Sequence, residues 1–507
     1  MAHEGGSSVL YLPYAAPNWK KISPILRYVT EQKRLTWDMV FTCLQDLISL
    51  TSGIQADLSA LVQFSRLHKD SRVLELCQLS ASWALNSPME FRGETSIPML
   101  RARSNGRVQL TSDQTKSLLS MMFWCVFPST RGGTTNMNHN FARVFSLTKP
   151  QQVAKIECVF SYFDQVTVPS QGPSLTFQRI SDRYMQKIAN LRPVEIVRNP
   201  SHSSYTLIVD FANAYLGGGV LGNGCAQEEI MLLSYFEPIV GLLFVEKLED
   251  NEVLYISGIR QFSICKGYGD SFGWERKGMG RDDGNVIVAM DAIDFKNKEG
   301  AQYSREAIDR ELVKASIAFK LHAGQQPLPI LTGNWGCGAF RGNPQLKFLI
   351  QWVAASTSPR AMRFLPFDKP ELRDLESFIT QVSGCSAEAL LRCLYAYERE
   401  GRGMDMFQFC VRTIQRSKAA ASRNNPAQGF TPAQIYGPNA SFSPQPRLSQ
   451  SYAGSSTQQP SSFPVQRNPK PNPAALQPAG MSSLKRTSAL PLRSGSSAPP
   501  VKHSRYY

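Results

Sequence analysis

The chain has 507 residues, 42% of them hydrophobic, so it is too long for one ordinary domain and can bury one large core or two fused cores. The net charge is +15, but residues 418–507 hold ten Lys and Arg and no Asp or Glu, which leaves +5 (15 minus 10) for the first 417 residues. This distribution argues against bulk electrostatic binding of DNA by the body of the chain.

Residues 1–190 are predicted to form a helical accessory region. The first eight residues lack the basic segment and apolar run of a secretory signal. Apolar residues then recur at helical spacing in residues 37–50, 112–126 and 151–163, and polar loops join these segments. No residue pattern in this region indicates catalysis.

Residues 191–416 are predicted to form the catalytic domain, because strand, loop and helix patterns alternate from Thr206 onward. The predicted strands lie in the segments TLIVDFANA, NVIVAMDAIDF, LPILTGNWGCGAF and MRFLPF. The predicted helices are QEEIMLLSYFE, SREAIDRELVKASIAFKLHA, NPQLKFLIQWVAAS and ELRDLESFITQV. This alternation predicts a three-layer α/β body with ligand-binding loops at the carboxyl ends of its strands.

Residues 417–507 are rich in Ser, Pro, Gln, Asn and Ala and have almost no apolar periodicity. Such a segment cannot bury enough surface to offset its chain entropy, so we predict a disordered, basic Ser/Pro-rich tail. Two interpretations of its charge remain open. The tail is either a solvated, solubilising segment or an arm that contacts polyanions or carries a nuclear-import signal, with Lys485-Arg486 as its one adjacent basic pair.

The ten cysteines are scattered singly from Cys43 to Cys410, with no CxxC pair and no Cys/His cluster at metal-ligand spacing. A structural zinc site is therefore not expected. No stretch has the uninterrupted apolar length of a membrane span. These features predict a soluble, intracellular protein whose thiols are reduced and mostly buried.

Residues 210–229 form the most informative segment, with the runs DFAN (210–213), GGG (217–219) and QEE (227–229). Three consecutive glycines after a strand let the backbone pass close to a bulky ligand. A carboxylate in the first turn of a helix is favourably placed by the helix N-terminus. Each feature alone is more often structural than catalytic, but together they indicate an active site.

These runs resemble the signature of the poly(ADP-ribose) glycohydrolase family. The resemblance continues in GYGDSFGW (267–274), which is similar to the family's tyrosine segment, and in TGNWGCGAF (332–340), which is similar to its diphosphate-binding loop. RFLPF (363–367) resembles the strand that supplies an aromatic residue to the pocket. The resemblance implies a macrodomain-like fold behind an N-terminal helical accessory region, with the tail outside it.

The resemblance also implies a reaction, the hydrolysis of 1″→2′ ribose–ribose O-glycosidic bonds of poly(ADP-ribose), chiefly from chain ends, with release of ADP-ribose and no metal or organic cofactor. Glu229 would protonate the leaving 2′-oxygen and then deprotonate the attacking water. Glu228 would hold the hydroxyls of the scissile ribose. Asp210 and Asn213 would fix that sugar, and Gln227 would orient the same end of the substrate.

For the ADP moiety, the resemblance implies that Tyr268 and Phe367 flank it and that the backbone of residues 336–340 wraps the diphosphate. Besides the catalytic Glu229, Glu228 and Asp210, the residues predicted to bind substrate are Asn213, Gln227, Gly217, Gly218, Gly219, Tyr268, Gly336, Cys337, Gly338, Ala339, Phe340 and Phe367. Residues 194–205 lack the Ile-Glu pair associated with adenine recognition in the family, so no residue is assigned to that role.

Several alternatives bear on this interpretation. A non-catalytic reader of poly(ADP-ribose) has no physical need for a proton donor, so the presence of both glutamates and Asp210 argues against it. A nucleic-acid-associated scaffold would depend on the basic tail, and a single-unit ADP-ribosyl hydrolase would act on mono-modified protein. A nucleophilic Cys337 is disfavoured because the nearest histidine in sequence is His322.

The expected setting is the nucleus and the cytoplasm, in the DNA damage response. The expected partner is poly(ADP-ribose) on modified proteins, with possible polyanion contact through the tail and no membrane.

Overall fold

The computed structural model describes residues 8–128, 135–136, 139–168, 173–182, 190–198 and 204–424. The α-helices are α1 (Trp19–Glu31), α2 (Trp37–Ser52), α3 (Ser59–Leu67), α4 (Ser71–Leu85), α5 (Ser87–Glu90), α6 (Ser112–Phe123), α7 (Ala142–Phe145), α8 (Pro150–Gln165), α9 (Gln227–Tyr235), α10 (Arg305–Phe319), α11 (Pro344–Ser356), α12 (Leu375–Gln381), α13 (Ala387–Glu400) and α14 (Met406–Asn424). The strands are β1 (Val9–Tyr11), β2 (Ser96–Pro98), β3 (Gly106–Leu110), β4 (Leu175–Ser181), β5 (Val194–Ile196), β6 (Leu207–Asp210), β7 (Glu252–Ser257), β8 (Ser263–Lys266), β9 (Gly273–Lys277), β10 (Val286–Ala289), β11 (Ile330–Thr332) and β12 (Met362–Phe364).

Side-chain caps begin many of these helices, because a Ser, Thr, Asp or Asn oxygen accepts one of the N–H groups that has no partner within the helix. At α11, which follows the predicted diphosphate loop, Asn343 Oδ1 accepts the N–H of Leu346 at 2.9 Å, and Pro344 occupies the first turn. The other capping residues of this kind are Thr36, Asp70, Thr111, Ser304 and Ser386.

The central sheet has eight strands in the order β3-β4-β7-β10-β6-β11-β12-β5. Strands β10, β6, β11, β12 and β5 are parallel to one another. Strand β7 is antiparallel to both β10 and β4. Ile208 of β6 lies opposite Ile287 of β10 and Leu331 of β11. The carboxyl ends of these parallel strands therefore meet at one edge of the sheet, where open α/β sheets bind ligands.

Successive residues of β6 point into two different cores. Ile208 packs in the core formed with the helices of the N-terminal region, and Leu207 and Val209 pack in the core formed with α10 to α14. Helices thus cover both faces of the sheet, so the predicted three-layer α/β architecture with an N-terminal helical region is confirmed.

The predicted helical region also supplies two strands of the central sheet, which the sequence patterns did not show. β3 pairs with β4, and β4 pairs along its length with β7. The β4 sequence LTFQRIS hides its strand character because Arg179 is buried, where its guanidinium pairs with Glu252 and donates to the carbonyl groups of Leu100 and Glu246. The prediction of helices alone before residue 191 is therefore corrected.

The predicted start of the tail also needs correction, because α14 continues to Asn424 rather than ending before Ser417. Ala419 and Ala420 have high helix propensity and extend the helix beyond its last buried apolar residue, Ile414. The remainder of the predicted tail, residues 425–507, lies outside the described residues.

All ten cysteines are buried and none forms a disulfide, as the sequence predicted for most of them. Among the described residues, no group of three or more His, Cys, Asp and Glu side chains has an arrangement that could hold a metal ion. In the same part of the chain, no helix combines the length and apolar character needed to cross a membrane.

Candidate active site

A cavity of about 550 Å³ opens at the carboxyl ends of β6, β11 and β12, a size typical of ligand-binding pockets. It is lined by the predicted residues Asn213, Gln227, Glu228, Glu229, Tyr268, Gly336, Cys337, Gly338, Ala339, Phe340 and Phe367. The parallel sheet thus brings together the segments after three of its strands. The predicted residues that do not line it are Asp210, Gly217, Gly218 and Gly219.

Glu228 is fixed by the backbone that follows β6. Its Oε1 accepts the N–H of Gly217 at 2.6 Å, and its Oε2 accepts the N–H of Asn213 at 2.9 Å. Burial raises the pKa of Glu228 well above its ordinary value, and the charges of Asp210 and Glu229 raise it further, whereas the two N–H groups oppose this shift. The carboxyl group is therefore held in one orientation at the cavity.

Glu229 is held in the same way by residues 217–226, here named the glutamate loop. The N–H of Gly219 donates to Oε1 at 2.9 Å, and the N–H of Ala226 donates to Oε2 at 2.8 Å. The Ala226 contact also satisfies one of the free N–H groups at the start of α9. Both carboxylates in the first turn of α9 are thus oriented by backbone donors.

The three consecutive glycines serve these carboxylates rather than lining the cavity. A Cβ atom on Gly218 would lie 2.8 Å from both Glu228 Oε2 and Glu229 Oε1, closer than real Cβ atoms approach other atoms. The expected direct contact of Gly217, Gly218 and Gly219 with substrate stays a prediction. Their lack of side chains lets the loop close around the two glutamates.

Asp210 lies beneath the cavity and is fully buried at the end of β6. Neither carboxyl oxygen has a hydrogen-bond partner among the described residues. Burial raises its pKa well above the ordinary value, and the charge of Glu229 raises it further, so the protonated form is favoured. Asp210 does not line the cavity, so the structure supports an influence through the glutamates, and the expected contact with the ribose stays a prediction.

Gln227 lines the cavity, but its amide is already engaged. Its Oε1 accepts the N–H of Phe211 at 2.8 Å, and its Nε2 donates to the carbonyl of Val209 at 3.1 Å. These bonds tie the first residue of α9 to the end of β6. They support a role in orienting the glutamates more directly than a role in holding substrate.

The predicted diphosphate loop, residues 336–340, presents unused donors. Within the described residues, no acceptor takes the N–H groups of Gly338, Ala339 and Phe340, whereas the N–H of Cys337 donates to the carbonyl of Asn334 at 3.0 Å. Adjacent free N–H groups close to a helix N-terminus are the usual elements of an anion site. This loop could therefore hold a phosphate group.

A buried cation lies directly under this loop. Lys347, on the first turn of α11, pairs with Glu311 and lies 4.3 Å from the centre of the Trp335 ring. A Cβ atom on Gly336 would lie 3.1 Å from Lys347 Nζ, so the loop backbone passes close to the ammonium. Because Glu311 compensates the charge of Lys347, the free N–H groups remain the feature of the loop that can attract an anion.

Cys337 does not have the properties of a nucleophile. Burial raises the pKa of its thiol to about 12, so the thiolate is disfavoured at neutral pH. His322 does not line the cavity, and its ring instead contacts Tyr255 at 5.5 Å and bonds to the carbonyl of Ile317. Both observations argue against Cys337 as a nucleophile, as the sequence also indicated.

Two aromatic residues stand at the cavity. Tyr268 is 45% exposed. Its hydroxyl lies close to Gly338, since a Cβ atom added to that glycine would be 3.2 Å from it. Phe367 and Asp368 both adopt left-handed backbone conformations, with φ of 50° and 49°, which L-residues adopt only at an energetic cost. That strain turns the chain after β12 so that the Phe367 ring lies against Gly333 at the cavity.

The cavity also has lining residues that were not predicted, namely Phe211, Ala226, Ile230, Asn334, Asp368, Lys369 and Pro370. Asn334 is a buried polar residue of this group. Its Nδ2 donates to the carbonyl of Pro366, and its Oδ1 has no partner among the described residues. It lies inside the recognised TGNWGCGAF motif and could have been found there. Adenine recognition was sought in residues 194–205, and residues 199–203 of that segment lie outside the described residues.

Fold and site together define a macrodomain-type α/β protein in which a pair of glutamates and a glycine-rich loop with free N–H groups share one cavity. The model of the poly(ADP-ribose) glycohydrolase Macro domain fold matches residues 181–374, and the model of the helical domain of the same family matches residues 75–179. The chain belongs to the poly(ADP-ribose) glycohydrolase family.

Curated relatives agree with this assignment. Poly(ADP-ribose) glycohydrolase 1 of Caenorhabditis elegans is 34% identical over 261 residues, which is 46% of this chain and 33% of the relative. Poly(ADP-ribose) glycohydrolase 2 of the same organism is 31% identical over 288 residues, covering 51% of this chain and 57% of the relative. The chain thus spans between a third and somewhat more than half of the length of these relatives.

Solved structures of poly(ADP-ribose) glycohydrolases are similar at lower identity. The enzyme from Thermomonospora curvata is 14% identical, with a TM-score of 0.26, and the match covers 46% of this chain and 80% of that one. The enzyme from Deinococcus radiodurans in complex with ADP-ribose is 16% identical, with a TM-score of 0.26, and the match covers 37% of this chain and 83% of that one.

Proposed function

We propose that this protein is a glycosidase that hydrolyses ribose–ribose O-glycosidic bonds of poly(ADP-ribose), releases ADP-ribose and so reverses protein poly-ADP-ribosylation. One observation carries the proposal. Glu228 and Glu229 are adjacent, oriented by backbone N–H groups and placed in the same cavity as the free N–H groups of residues 338–340. Membership of the family, whose named members are poly(ADP-ribose) glycohydrolases, supports the choice of polymer.

The chemistry requires a proton for the leaving oxygen and stabilisation of an oxocarbenium-like ribose. Glu229 donates its proton to the departing 2′-oxygen as the glycosidic bond breaks. The resulting carboxylate then takes a proton from the water that attacks the anomeric carbon, which restores the acid. The two N–H bonds from Gly219 and Ala226 keep the carboxyl group in place through both steps, so little reorganisation is needed.

The neighbouring carboxyl groups complete this site. Glu228 holds the hydroxyls of the scissile ribose from a fixed position beside Glu229. Asp210 lies behind the two glutamates, and its raised pKa favours a neutral carboxylic acid there. A neutral Asp210 adds no negative charge beneath the reacting ribose, which matters because the substrate is itself a polyanion.

The ADP moiety is held by the other side of the site. The free N–H groups of Gly338, Ala339 and Phe340 bind the diphosphate, with Lys347 below them. Tyr268 contacts the ADP moiety from a half-exposed position, as an aromatic ring that stacks on a base or ribose does. Phe367 and Asn334 close the pocket.

Localisation to the nucleus and cytoplasm, a place in the DNA damage response and polyanion contact through the tail are part of the same proposal. The charge distribution supports the last point, because residues 418–507 carry ten basic residues and no acidic one. Removal of residues 425–507 tests whether the tail is needed for turnover. The truncated protein should keep its turnover, and a loss of turnover would favour a scaffold function of the tail.

The proposed activity is tested by the release of ADP-ribose from purified poly(ADP-ribose) by the wild-type protein and by Glu229→Gln, which keeps the shape but cannot supply the same proton. Turnover by the wild type, with most of it lost in the variant while polymer binding is retained, is the expected result. Binding without turnover in both would replace the hydrolase by a reader. Preference for mono-ADP-ribosylated protein over polymer would indicate a single-unit hydrolase, and full activity of the variant would refute the role of Glu229.

A further inference from the structure

Lys155, in the middle of α8, is a fully buried lysine whose ammonium group enters the glutamate loop. Its Nζ donates to the carbonyl groups of Gly224 at 2.6 Å, Gly222 at 2.7 Å and Val220 at 2.9 Å. An ammonium has three donors, so these three carbonyls occupy all of them. The lysine therefore satisfies buried backbone groups that would otherwise lose hydrogen bonds on folding.

Gln152 adds to this contact from one turn earlier on α8. Its Nε2 donates to the carbonyl of Gly222 at 3.1 Å and to Oδ1 of Asn223 at 2.8 Å. Residues three apart share one face of a helix, so Gln152 and Lys155 contact the loop together. The helical region thus binds the outer side of residues 220–224 through side chains of a single helix.

The inner side of the same loop binds the proposed acid. Gly219 and Ala226 donate their N–H groups to the two oxygens of Glu229, and Gly224 packs against its carboxyl group. Lys155 and Glu229 thus lie on opposite sides of one short backbone segment. Burial lowers the pKa of Lys155, and the charges of Cys225 and Glu229 oppose this shift.

We propose that Lys155 is a positioning residue of the active site, which fixes the glutamate loop through its carbonyl groups so that the N–H groups of that loop orient Glu229. The inference rests on the proposed function of Glu229 and deepens it. It gives the helical region a direct part in the reaction, because a side chain of α8 helps to fix the backbone donors that orient Glu229. A displacement of a catalytic group by about 1 Å costs about 100-fold in rate, so such support matters.

The test is Lys155→Met, which keeps the length of the side chain and removes the donors and the charge. We expect kcat on poly(ADP-ribose) to fall by about 10- to 100-fold while KM stays within about threefold, because the loop orients the acid and only Ala226, at its end, is among the described residues that line the cavity. We also expect faster amide hydrogen–deuterium exchange in residues 217–226. That readout does not depend on turnover.

Lys314→Met is the matched control. Lys314 is also fully buried on a helix, and it donates to the carbonyl groups of Glu249 and Glu252 and to the carboxylate of Asp291, away from the cavity. The Lys314→Met variant should lose stability without a comparable change in kcat or in the amide exchange of residues 217–226. Both variants are assayed at temperatures equally far below their own unfolding midpoints.

Gln152→Leu serves if Lys155→Met does not fold, because it removes donors to the same loop without uncovering a charge. The same split between kcat and KM is then expected at a smaller size, about 2- to 10-fold in kcat. A folded Lys155→Met with unchanged kcat and unchanged exchange would overturn the inference, as would an equal fall of kcat in Lys314→Met. If the wild type itself releases no ADP-ribose, the proposed function fails, and the exchange of residues 217–226 alone decides whether Lys155 fixes the loop.

Discussion

A Cβ atom on Gly224 would lie 2.5 Å from Oε1 of Glu229, a distance that real Cβ atoms essentially never show. Gly224→Ala must therefore displace either the glutamate loop or the carboxyl group of Glu229. We expect kcat for ADP-ribose release to fall by about 100-fold, with a smaller change in binding of free ADP-ribose. Steady-state kinetics and calorimetric binding measure the two effects separately.

Gly300→Ala is the control for this glycine substitution. Its added Cβ would come no closer than 3.9 Å to a neighbouring side chain, that of Arg402, and Gly300 does not line the cavity. Its turnover should equal that of the wild type. Wild-type kcat in Gly224→Ala would show that the orientation of Glu229 does not limit the reaction.

Asp210→Asn should stabilise the protein at neutral and alkaline pH. The folded-state pKa of Asp210 lies well above its ordinary value of 3.8, so its contribution to stability is fully present below that value and is lost as pH rises through the folded pKa. Asparagine has no such loss. The free energy of unfolding of the variant should therefore rise relative to that of the wild type as the pH increases from 4 to 8.

Urea denaturation at several pH values measures this difference. Asp291→Asn is the matched comparison, because Asp291 is also buried but pairs with Arg310 and Lys314. It should destabilise the protein, since two buried cations lose a partner. A pH-independent effect of Asp210→Asn would contradict the raised pKa of that carboxyl group.

Lys347→Met should cost roughly 1–3 kcal/mol of stability, because the buried Glu311 loses its ammonium partner and keeps Arg310 as a cationic partner. Adding Glu311→Gln should recover part of this cost, since the glutamine can still accept the N–H of Ile293 that now reaches Oε1 at 2.7 Å. The double-mutant cycle, measured by urea denaturation, should therefore show a coupling of more than about 1 kcal/mol. Additive effects of the two changes would show that the pair is not energetically coupled.

Tyr268→Ala should weaken the binding of ADP-ribose by about 1 to 3 kcal/mol, the usual range for loss of an aromatic ring that stacks on a base. Its effect on KM for the polymer should exceed its effect on kcat, because the ring contributes to binding and transfers no proton in the proposed reaction. Tyr28→Ala is a suitable control, since Tyr28 is exposed to nearly the same extent, 46% against 45%, and belongs to α1. Equal affinities of the two variants would exclude Tyr268 from the ADP site.

The sequence predicted the elements around the cavity well because their signals are local. The QEE run opens α9 at Gln227, and the glycine loop after β11 runs into α11, as the strand and helix patterns indicated. In both places the loop residues stand next to the element that positions them. Neighbouring residues therefore carried enough information to bring Glu228, Glu229 and residues 336–340 to one edge of the sheet.

The features that the sequence missed depend on contacts between distant positions. Lys155 occupies a helix where a lysine ordinarily faces solvent, and the carbonyl groups that it binds lie 65 to 69 positions away. Arg179 interrupts the apolar pattern of β4, and its partner Glu252 lies 73 positions away. Neither residue carries a local indication of burial, so only the folded chain shows what it does.

Because β3 and β4 come from the helical region, the boundary between the two regions does not coincide with a gap in the sheet. A fragment that begins at residue 191 would present β7 as an open edge, with a row of backbone donors and acceptors free to pair with another copy. We expect such a fragment to aggregate rather than to fold as an independent catalytic domain. Recombination or truncation at the boundary between the two regions would then give no smaller working enzyme. The two regions must therefore stay together in one chain.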